Sequence, residues 1–556
     1  MLATRYGCED FSDFDDFARN FHIDAPKDFN FAFDCIDEMA RRSPDKTAMV
    51  WCNDRGDEAR YSFAQLSAYS DAAARFFADA GIGRGDAVLL ILRRRAQFWF
   101  AALGLIKLGA VLIPSTHYLL TEDIVYRNNA ASVAAVVTTD DETLCAAVEQ
   151  SLPQSPTVRI RAKLGAKREG WLSFDEGLDR FAQGETLPRI TSGKDMMLLY
   201  FTSGTTGMPK MVAHNHLYPL GHITTAYYWH ALREDSLHLT MADTGWAKAA
   251  WGKIFGQWLC EAAIFVYDQD HLDPHRLLRA LARYRVTSFC APPTVYRVLL
   301  TANLPSYDLS ALKQVTSAGE PLTGDIFDRF KQGTGLSVRE AYGQTETVPL
   351  TMTSVYTEPR IGSVGKCNPI YDILFLDADG NEVPEGAEGE ICIRAERGFA
   401  GLFMGYHRDD AATARVWRGG VYHTGDMARM DSDGYVYFIG RADDIIKSAG
   451  YRIGPYEVES VLERHPAVLE CAVTGAPHPL RGQIVKASIV LAESYTASDA
   501  LKKELRAFMR ASAAAYKVPR EIEFVDELPK TISGKVRRVA MRADEQNENE
   551  ENNKNG

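Results

Sequence analysis

The sequence predicts a multidomain α/β protein: a large N-terminal domain of two parallel-type sheets with helices plus a β-rich subdomain, then a small α+β C-terminal domain. Three observations lead there. Short continuous apolar runs alternate with amphipathic stretches, the pattern of strands buried on both faces and covered by helices. From Arg360 the style changes to short alternating strands around turns such as Asp377-Ala378-Asp379-Gly380-Asn381 and Asp431-Ser432-Asp433-Gly434-Tyr435. Beyond Gly440, mixed helix and strand patterns continue to about Asp544. The expected boundaries are 1–440 for the large domain, with its β-rich part at about 360–440, and 441–544 for the small one. Residues 545–556, rich in Glu and Asn with no large apolar side chain, read as a disordered tail.

The elements follow in order. Phe11, Phe14, Phe17 and Phe21 recur at helical spacing among aspartates, an acidic helix docking an aromatic stripe. Phe63 to Ala80 reads as an amphipathic helix, Ala87 to Leu92 as a strand, Ala96 to Leu108 as a helix and Ala110 to Pro114 as a strand. Phe98 to Ile113, interrupted by Lys107 and containing two glycines, is too short and mixed to span a bilayer and reads as buried. Ala134 to Val137, Met196 to Phe201, Ala263 to Tyr267, Thr287 to Ala291 and Gln314 to Thr316 are further strands, with a helix from His275 to Tyr284. In the small domain, helices run Pro455 to His465 and Ser498 to Ala513, with Ser498 as N-cap. Its strands lie around Leu469 to Val473, Ile484 to Leu491 and Glu521 to Val525. No solenoid repeat is present.

With 556 residues, 46% hydrophobic and 24% charged, the chain has the composition of a soluble globular protein of two or more domains. A net charge of −12 argues against nucleic acid or an anionic membrane as the main partner, so an anionic ligand needs a local basic focus. Nine scattered cysteines without a C-x-x-C, and an N-terminus without a basic-then-apolar signal pattern, lead to the expectation of a cytoplasmic protein.

Thr202-Ser203-Gly204-Thr205-Thr206-Gly207-Met208-Pro209-Lys210 follows the apolar run Met196 to Phe201. Glycines that let N–H groups converge, several hydroxyls and one lysine suit a polyphosphate. It is not a Walker loop, and a polar surface loop is the plain alternative. Six more segments stand out. Ser317-Ala318-Gly319-Glu320-Pro321 has small residues against which a flat ring could lie. Glu340-Ala341-Tyr342-Gly343-Gln344-Thr345-Glu346-Thr347 packs an aromatic, hydroxyls and carboxylates together, and Glu346 could hold Mg²⁺, which usually takes one or two protein carboxylates. In Tyr422-His423-Thr424-Gly425-Asp426 and Gly440-Arg441-Ala442-Asp443-Asp444, an aspartate and an arginine could fix a ribose or form an ordinary ion pair. Ser448-Ala449-Gly450-Tyr451-Arg452 offers a glycine past which a thin chain could thread. Pro529-Lys530-Thr531-Ile532-Ser533-Gly534-Lys535 places a lysine on a glycine-containing loop.

Together these segments resemble the adenylate-forming (ANL) superfamily of acyl-CoA synthetases, luciferases and peptide-synthetase adenylation domains, in the family's order from about residue 30 to 545. Tyr342 to Thr347, Gly440 to Ile446 and Gly450 to Pro455 are most similar to short- and medium-chain acyl-CoA synthetases. The resemblance implies an AMP-forming ligase using ATP, Mg²⁺ and coenzyme A. Thr202, Ser203, Gly204, Thr205, Thr206, Gly207, Met208, Pro209 and Lys210 would wrap the β- and γ-phosphates. Gly319, Glu320 and Pro321, with Glu340, Ala341, Tyr342, Gly343, Gln344 and Thr345, would line the adenine and α-phosphate region. Glu346 would hold the metal, and Asp426 and Arg441 the ribose. Ala449, Gly450, Tyr451, Arg481 and Lys517 would meet CoA, and Arg452 a nucleotide phosphate. Lys535, Thr205 and Glu346 would carry the catalytic roles, and Asp443 would be the hinge of a mobile small domain. Ala449 departs from the serine often found there, which touches the CoA contacts alone. Tyr516-Lys517-Val518-Pro519 keeps the usual pattern.

Acetate-specific relatives carry tryptophan at the position of Gly343, so glycine is expected to leave room for a longer or branched acid. Trp246, Lys248 and Trp251, at the start of an expected helix, fall beside the acyl pocket by resemblance. Trp251 would cap it, and Lys248, three residues away, would attract the carboxylate or limit chain length. Core aromatics with a lysine reaching solvent are the alternative. The expected substrate is a short- or medium-chain acid of about C4 to C8, or a branched one, in a pocket of the usual small-ligand kind. Aryl (benzoate-type) CoA ligation, luciferase-like chemistry and carrier-protein loading are the rivals. The partners are small molecules, with no nucleic acid and no membrane insertion; the oligomeric state is open, a homodimer among the options.

Overall fold

The computed structural model describes residues 1–202, 208–320, 322–449, 451–530 and 536–542, with the Arg452 side chain left aside. The described chain forms two compact units. The first comprises Met1–Thr202, Lys210–Asp372 and Arg394–Arg415; the second comprises Ile373–Ile393 and the chain from Val416, with Met208 and Pro209.

Two large sheets organise the first unit. The eight-stranded one runs Gly405–Tyr406, Lys210–Asn215, Met196–Thr202, Val111–Pro114, Ala87–Ile91, Val133–Thr138, Ile160–Lys163, Leu172–Ser173. It is parallel from Met196–Thr202 to its far edge and antiparallel at the near edge. Ala87–Ile91 and Val133–Thr138 are buried at every position, as strands covered on both faces must be. The nine-stranded sheet is parallel across Thr47–Asn53, Ala263–Asp268, Leu237–Thr240, Ser288–Cys290, Gln314–Ala318 and Arg339–Tyr342, with antiparallel edges.

Helices Phe63–Asp79 and Gln97–Leu108 pack together. The first opens on a capping box in which Ser62 and Gln65 each serve the other's backbone N–H. The second is buried along nearly its whole length, and the Lys107 ammonium inside it is held by Asp37 and Asp71 at 2.8 and 2.6 Å. The expected N-terminal stripe forms around a shorter helix, Phe14–Asn20, with Phe11, Phe17 and Phe21 packed on Tyr228. Among the described residues no helix is long and apolar enough to cross a membrane.

The second unit holds two five-stranded sheets. One combines Asp372–Leu376, Glu388–Arg394, Val421–Met430, Trp417–Arg418 and Val436–Arg441; the other combines Tyr451–Ile453, Ile446–Ser448, Gly482–Leu491, Val468–His478 and Glu521–Phe524. Helix Asp499–Ser512 starts where Ser498 Oγ accepts from Leu501 N, and buries Leu501, Leu505 and Met509 at four-residue spacing. The last described residues, 536–542, are tied in by charge. Arg538 donates to Glu459 at 2.5 Å and Arg542 to Asp444 at 2.7 Å. The expected tail at 545–556 lies outside the described residues.

Candidate active site

The strands on either side of the expected phosphate loop are paired. Met196–Thr202 and Lys210–Asn215 run antiparallel, and Thr202 and Lys210 are cross-strand partners. That register fixes both ends of the loop. Ser203, Gly204, Thr205, Thr206 and Gly207 lie outside the described residues; Met208 is exposed and Pro209 half-buried.

Three further side chains meet at the base of the loop. The Lys210 ammonium stands 4.7 Å from the centre of the Tyr406 ring, and the Tyr406 hydroxyl donates to Glu346 Oε1 at 2.8 Å. A cation over an aromatic face and a carboxylate at the edge of the same ring are thus held by one tyrosine. The Glu346 backbone is fixed too, since its carbonyl accepts from Phe403 N at 2.9 Å. Tyr406 was not singled out in the sequence, where Gly-Tyr-His-Arg offers no chemistry; only the pairing of Gly405–Tyr406 with Lys210–Asn215 brings it here. From the same strand, His214 Nε2 meets the Thr345 carbonyl at 2.9 Å, joining the loop's strand to the 340–347 segment. Burial drives the His214 imidazole down to about 3, so it is neutral. Glu346, whose Oε1 accepts from Tyr406, is a carboxylate of the kind Mg²⁺ takes as a ligand.

Glu340 and Ala341 are buried on Arg339–Tyr342, while Tyr342 at its end and Gly343, Gln344 and Thr345 beyond it are half-buried. Burial pushes the Glu340 carboxyl up to about 8 against the opposing hydrogen bond from Leu322 N at 3.0 Å. At neutral pH it is therefore mostly protonated and adds no charge that would repel a phosphate. Gly319 ends the neighbouring strand Gln314–Ala318 with φ 99°, a left-handed conformation that favours glycine. Glu320 is turned to Thr294 Oγ1 at 2.7 Å, and Pro321 lies outside the described residues.

The space beside Gly343 is not open: a Cβ there would stand 2.8 Å from the Trp251 ring and 2.9 Å from the Val348 carbonyl. Trp251 packs against Gly343, the side on which it was expected to cap the pocket. Its helix is Lys248–Lys253, so Trp246 precedes it instead of starting it. Lys248 does not simply reach solvent, since its ammonium donates to the Ala318 carbonyl beside Gly319. Like Tyr406, Lys253 went unnoticed in the sequence. It is fully buried, bonds the Ala242 carbonyl at 2.7 Å, and is pulled by desolvation down to about 7.

The second unit carries the other candidates. Asp426 and Arg441 face each other across Val421–Met430 and Val436–Arg441, with Arg441 Nη1 3.6 Å from Asp426 Oδ1. Asp426 is buried, so this is more than a solvated surface pair. Gly425, at φ 71°, leaves room for the guanidinium; a Cβ there would stand 3.0 Å from it. Arg441 Nε also donates to Asp443 Oδ1 at 3.3 Å.

Ala449 takes φ 48°, unusual for a side chain with a Cβ, and its N–H bonds the Arg481 carbonyl at 2.9 Å. Tyr451 stacks on Tyr516 at 4.3 Å with 8° between the planes, and the neighbouring Lys517 pairs with Glu457. Ala449, Tyr451, Arg481 and Lys517 are thereby drawn into one region through the stack and the Arg481 bond. Gly450, Lys535 and the Arg452 side chain lie outside the described residues. The base of the Lys535 loop is closed by a Lys530–Val536 bridge.

Parallel sheets ending in hydroxyl- and glycine-bearing loops, with a lysine and a carboxylate at one loop base, define a nucleotide-handling α/β enzyme. The chain belongs to the AMP-binding enzyme family, matching it over residues 36–407 and matching the AMP-binding enzyme C-terminal domain over 457–535. It is 39% identical over 549 residues to the mitochondrial acyl-coenzyme A synthetase ACSM3 of Pongo abelii, covering 97% of this chain and 93% of that one. Among solved structures it is similar to the anthranilate CoA ligase AuaEII in complex with anthranoyl-AMP, at a TM-score of 0.84 and 28% identity, covering 94% and 98% of the two chains. A Brucella canis acyl-CoA synthetase matches at a TM-score of 0.69 and 30% identity, covering 94% and 95%.

Proposed function

We propose that the chain is an ATP-dependent acid–CoA ligase. The carboxylate oxygen attacks the α-phosphorus, the bond to pyrophosphate breaks, and an acyl-adenylate forms. The CoA thiol then attacks the acyl carbonyl, AMP leaves, and the thiol proton passes to solvent. The observation that carries this reading is the Lys210–Tyr406–Glu346 cluster at the base of the hydroxyl loop, in a chain of the AMP-binding family.

An anionic nucleophile and an anionic α-phosphate repel, so positive charge has to be supplied at the reacting atoms. Lys210 supplies it beside the loop. Lys535 has the same task at the α-phosphate and the acid's carboxylate. A bound Mg²⁺ would add charge neutralisation on the phosphates, and Glu346 would hold it. Thr205 and the other loop hydroxyls stabilise the departing pyrophosphate. Asp426 and Arg441 bind the ribose, and Gly319 with the 340–345 segment receives the adenine and α-phosphate. For the second half-reaction the small domain turns at Asp443, withdrawing Lys535 and presenting Ala449, Gly450, Tyr451, Arg481 and Lys517 to CoA.

The acid is a short- or medium-chain one of about C4 to C8, branched acids included, in an apolar pocket bounded by Trp251. The similarity to an anthranilate CoA ligase favours an aryl acid as the second reading. Pyrophosphate release across aliphatic and aryl acids, with and without CoA, decides between them; release that never leads to a thioester would overturn the ligase reading. All nine cysteines are free thiols, which supports a reducing compartment, the cytoplasm, whereas the Pongo abelii relative is named mitochondrial. Subcellular fractionation separates the two.

A further inference from the structure

Apart from the clusters assigned to nucleotide and CoA, one sheet of the second unit brings a carboxylate, a thiol and an imidazole to one spot. Glu390 and Cys392 are two apart on Glu388–Arg394 and share a face, and His423 reaches them from the neighbouring strand Val421–Met430. His423 Nδ1 lies 3.3 Å from Cys392 Sγ and 2.9 Å from Glu390 Oε2. All three donor atoms fall within 4.8 Å of one another. Cys392 is fully buried, while the His423 and Glu390 side chains keep 11% and 16% exposure, so an ion arriving from solvent meets those two first. We propose that Glu390, Cys392 and His423 form a binding site for a borderline divalent cation, with Zn²⁺ its best-matched member.

The donor set selects the metal. Thiolate, imidazole and carboxylate together suit Zn²⁺, whereas Mg²⁺ and Ca²⁺ take oxygen ligands. Ligand atoms around tetrahedral Zn²⁺ stand about 3.3–3.6 Å apart, given bonds of about 2.0–2.3 Å. The imidazole–carboxylate and imidazole–thiol separations, 2.9 and 3.3 Å, therefore need to open by only a few tenths of an ångström. Three protein ligands leave the fourth position to water.

Binding is an exchange. Bonds from the metal to Sγ, Nδ1 and Oε2 form, the His423–Glu390 contact breaks, and the Cys392 thiol releases its proton to solvent. Burial, reinforced by Glu390, pushes that thiol up to about 12, so affinity rises with pH. Arg418, 3.6 Å from Glu390 Oε2 with its side chain 58% exposed, competes with the metal for the carboxylate. Glu390 Oε1 meanwhile accepts from Gly425 N at 2.9 Å, which keeps the carboxylate oriented.

The test uses the full chain in a non-chelating reductant. Zn²⁺ alone is titrated against a chromophoric chelator, and Cd²⁺ is added separately to read the ultraviolet sulfur-to-metal charge-transfer band. The expected result is one tight equivalent of Zn²⁺ and a thiolate band that Cys392→Ser and Cys392→Ala both lose, while Cys145→Ala keeps it. Glu390→Gln and His423→Gln each weaken Zn²⁺ roughly tenfold or more. Thermal melts confirm folding; where a Cys392 variant does not fold, the two glutamine variants carry the test. No band in the parent chain, a band surviving loss of Cys392, or unchanged Zn²⁺ affinity in both glutamine variants would overturn the proposal.

Discussion

Lys535 and Tyr406 bracket what single residues contribute. Lys535→Ala is expected to abolish adenylate formation and to leave thioester formation from preformed acyl-adenylate largely intact, measured as separate half-reactions; equal loss of both would remove its assigned role. Tyr406→Phe keeps the ring beneath Lys210 and deletes the bond to Glu346. It should lower kcat/KM for adenylation about tenfold, about 1.4 kcal/mol, and raise the Mg²⁺ concentration needed for half activity. An unchanged Mg²⁺ titration would show that Tyr406 only packs. Glu340 yields a pH prediction. Its folded-state value is raised from 4.5 to about 8. The folded protein therefore binds more protons than the unfolded chain in between, and stability falls as pH rises through that window. Glu340→Gln should flatten this part of the profile of Tm against pH; a slope identical to the parent's would contradict the burial argument.

At the scale of elements, helix Lys248–Lys253 carries the wall of the proposed acyl pocket. Trp251→Ala removes the ring packed against Gly343 and should shift preference towards longer or bulkier acids, read as relative kcat/KM across the panel. Gly343→Ala forces a methyl into space held by Trp251 and the Val348 carbonyl, at a cost of about 1–3 kcal/mol. A thermal melt with no loss of stability would mean the helix can retreat. Strands and helices with strong periodicity were legible in the sequence: Met196 to Phe201, Pro274–Arg283 and the Ser498 cap all appear, with ends moved by a residue or two. Lys210–Asn215 was not recognised as the strand paired with Met196–Thr202, because Lys-Met-Val-Ala-His-Asn shows no alternation. It is buried on both faces except at Lys210.

For the whole molecule, the proposed two-step reaction requires the small domain to take two orientations. Spin labels placed in the first unit and in the 455–530 region should give different distance distributions with ATP plus acid than with adenylate analogue plus CoA. One unchanged distribution would remove the rotation about Asp443. Within the second unit, buried carboxylates hold the last described residues: Glu459 holds Arg538, and Asp444 holds Arg542. Breaking one partner strands the other, so Glu459→Ala should destabilise this unit by about 3–5 kcal/mol.

By itself the sequence determined the class of fold, the order of the motifs and the residue types proposed to handle phosphate, because local periodicity and short-range chemistry are written in consecutive residues. The tertiary structure alone decided that Tyr406 joins Lys210 to Glu346, that Trp251 fills the space beside Gly343, and that Cys392 meets His423. Each of these depends on strand register or helix placement between distant segments. Such placement is set by the packing of whole sheets and leaves no mark on the residues nearby.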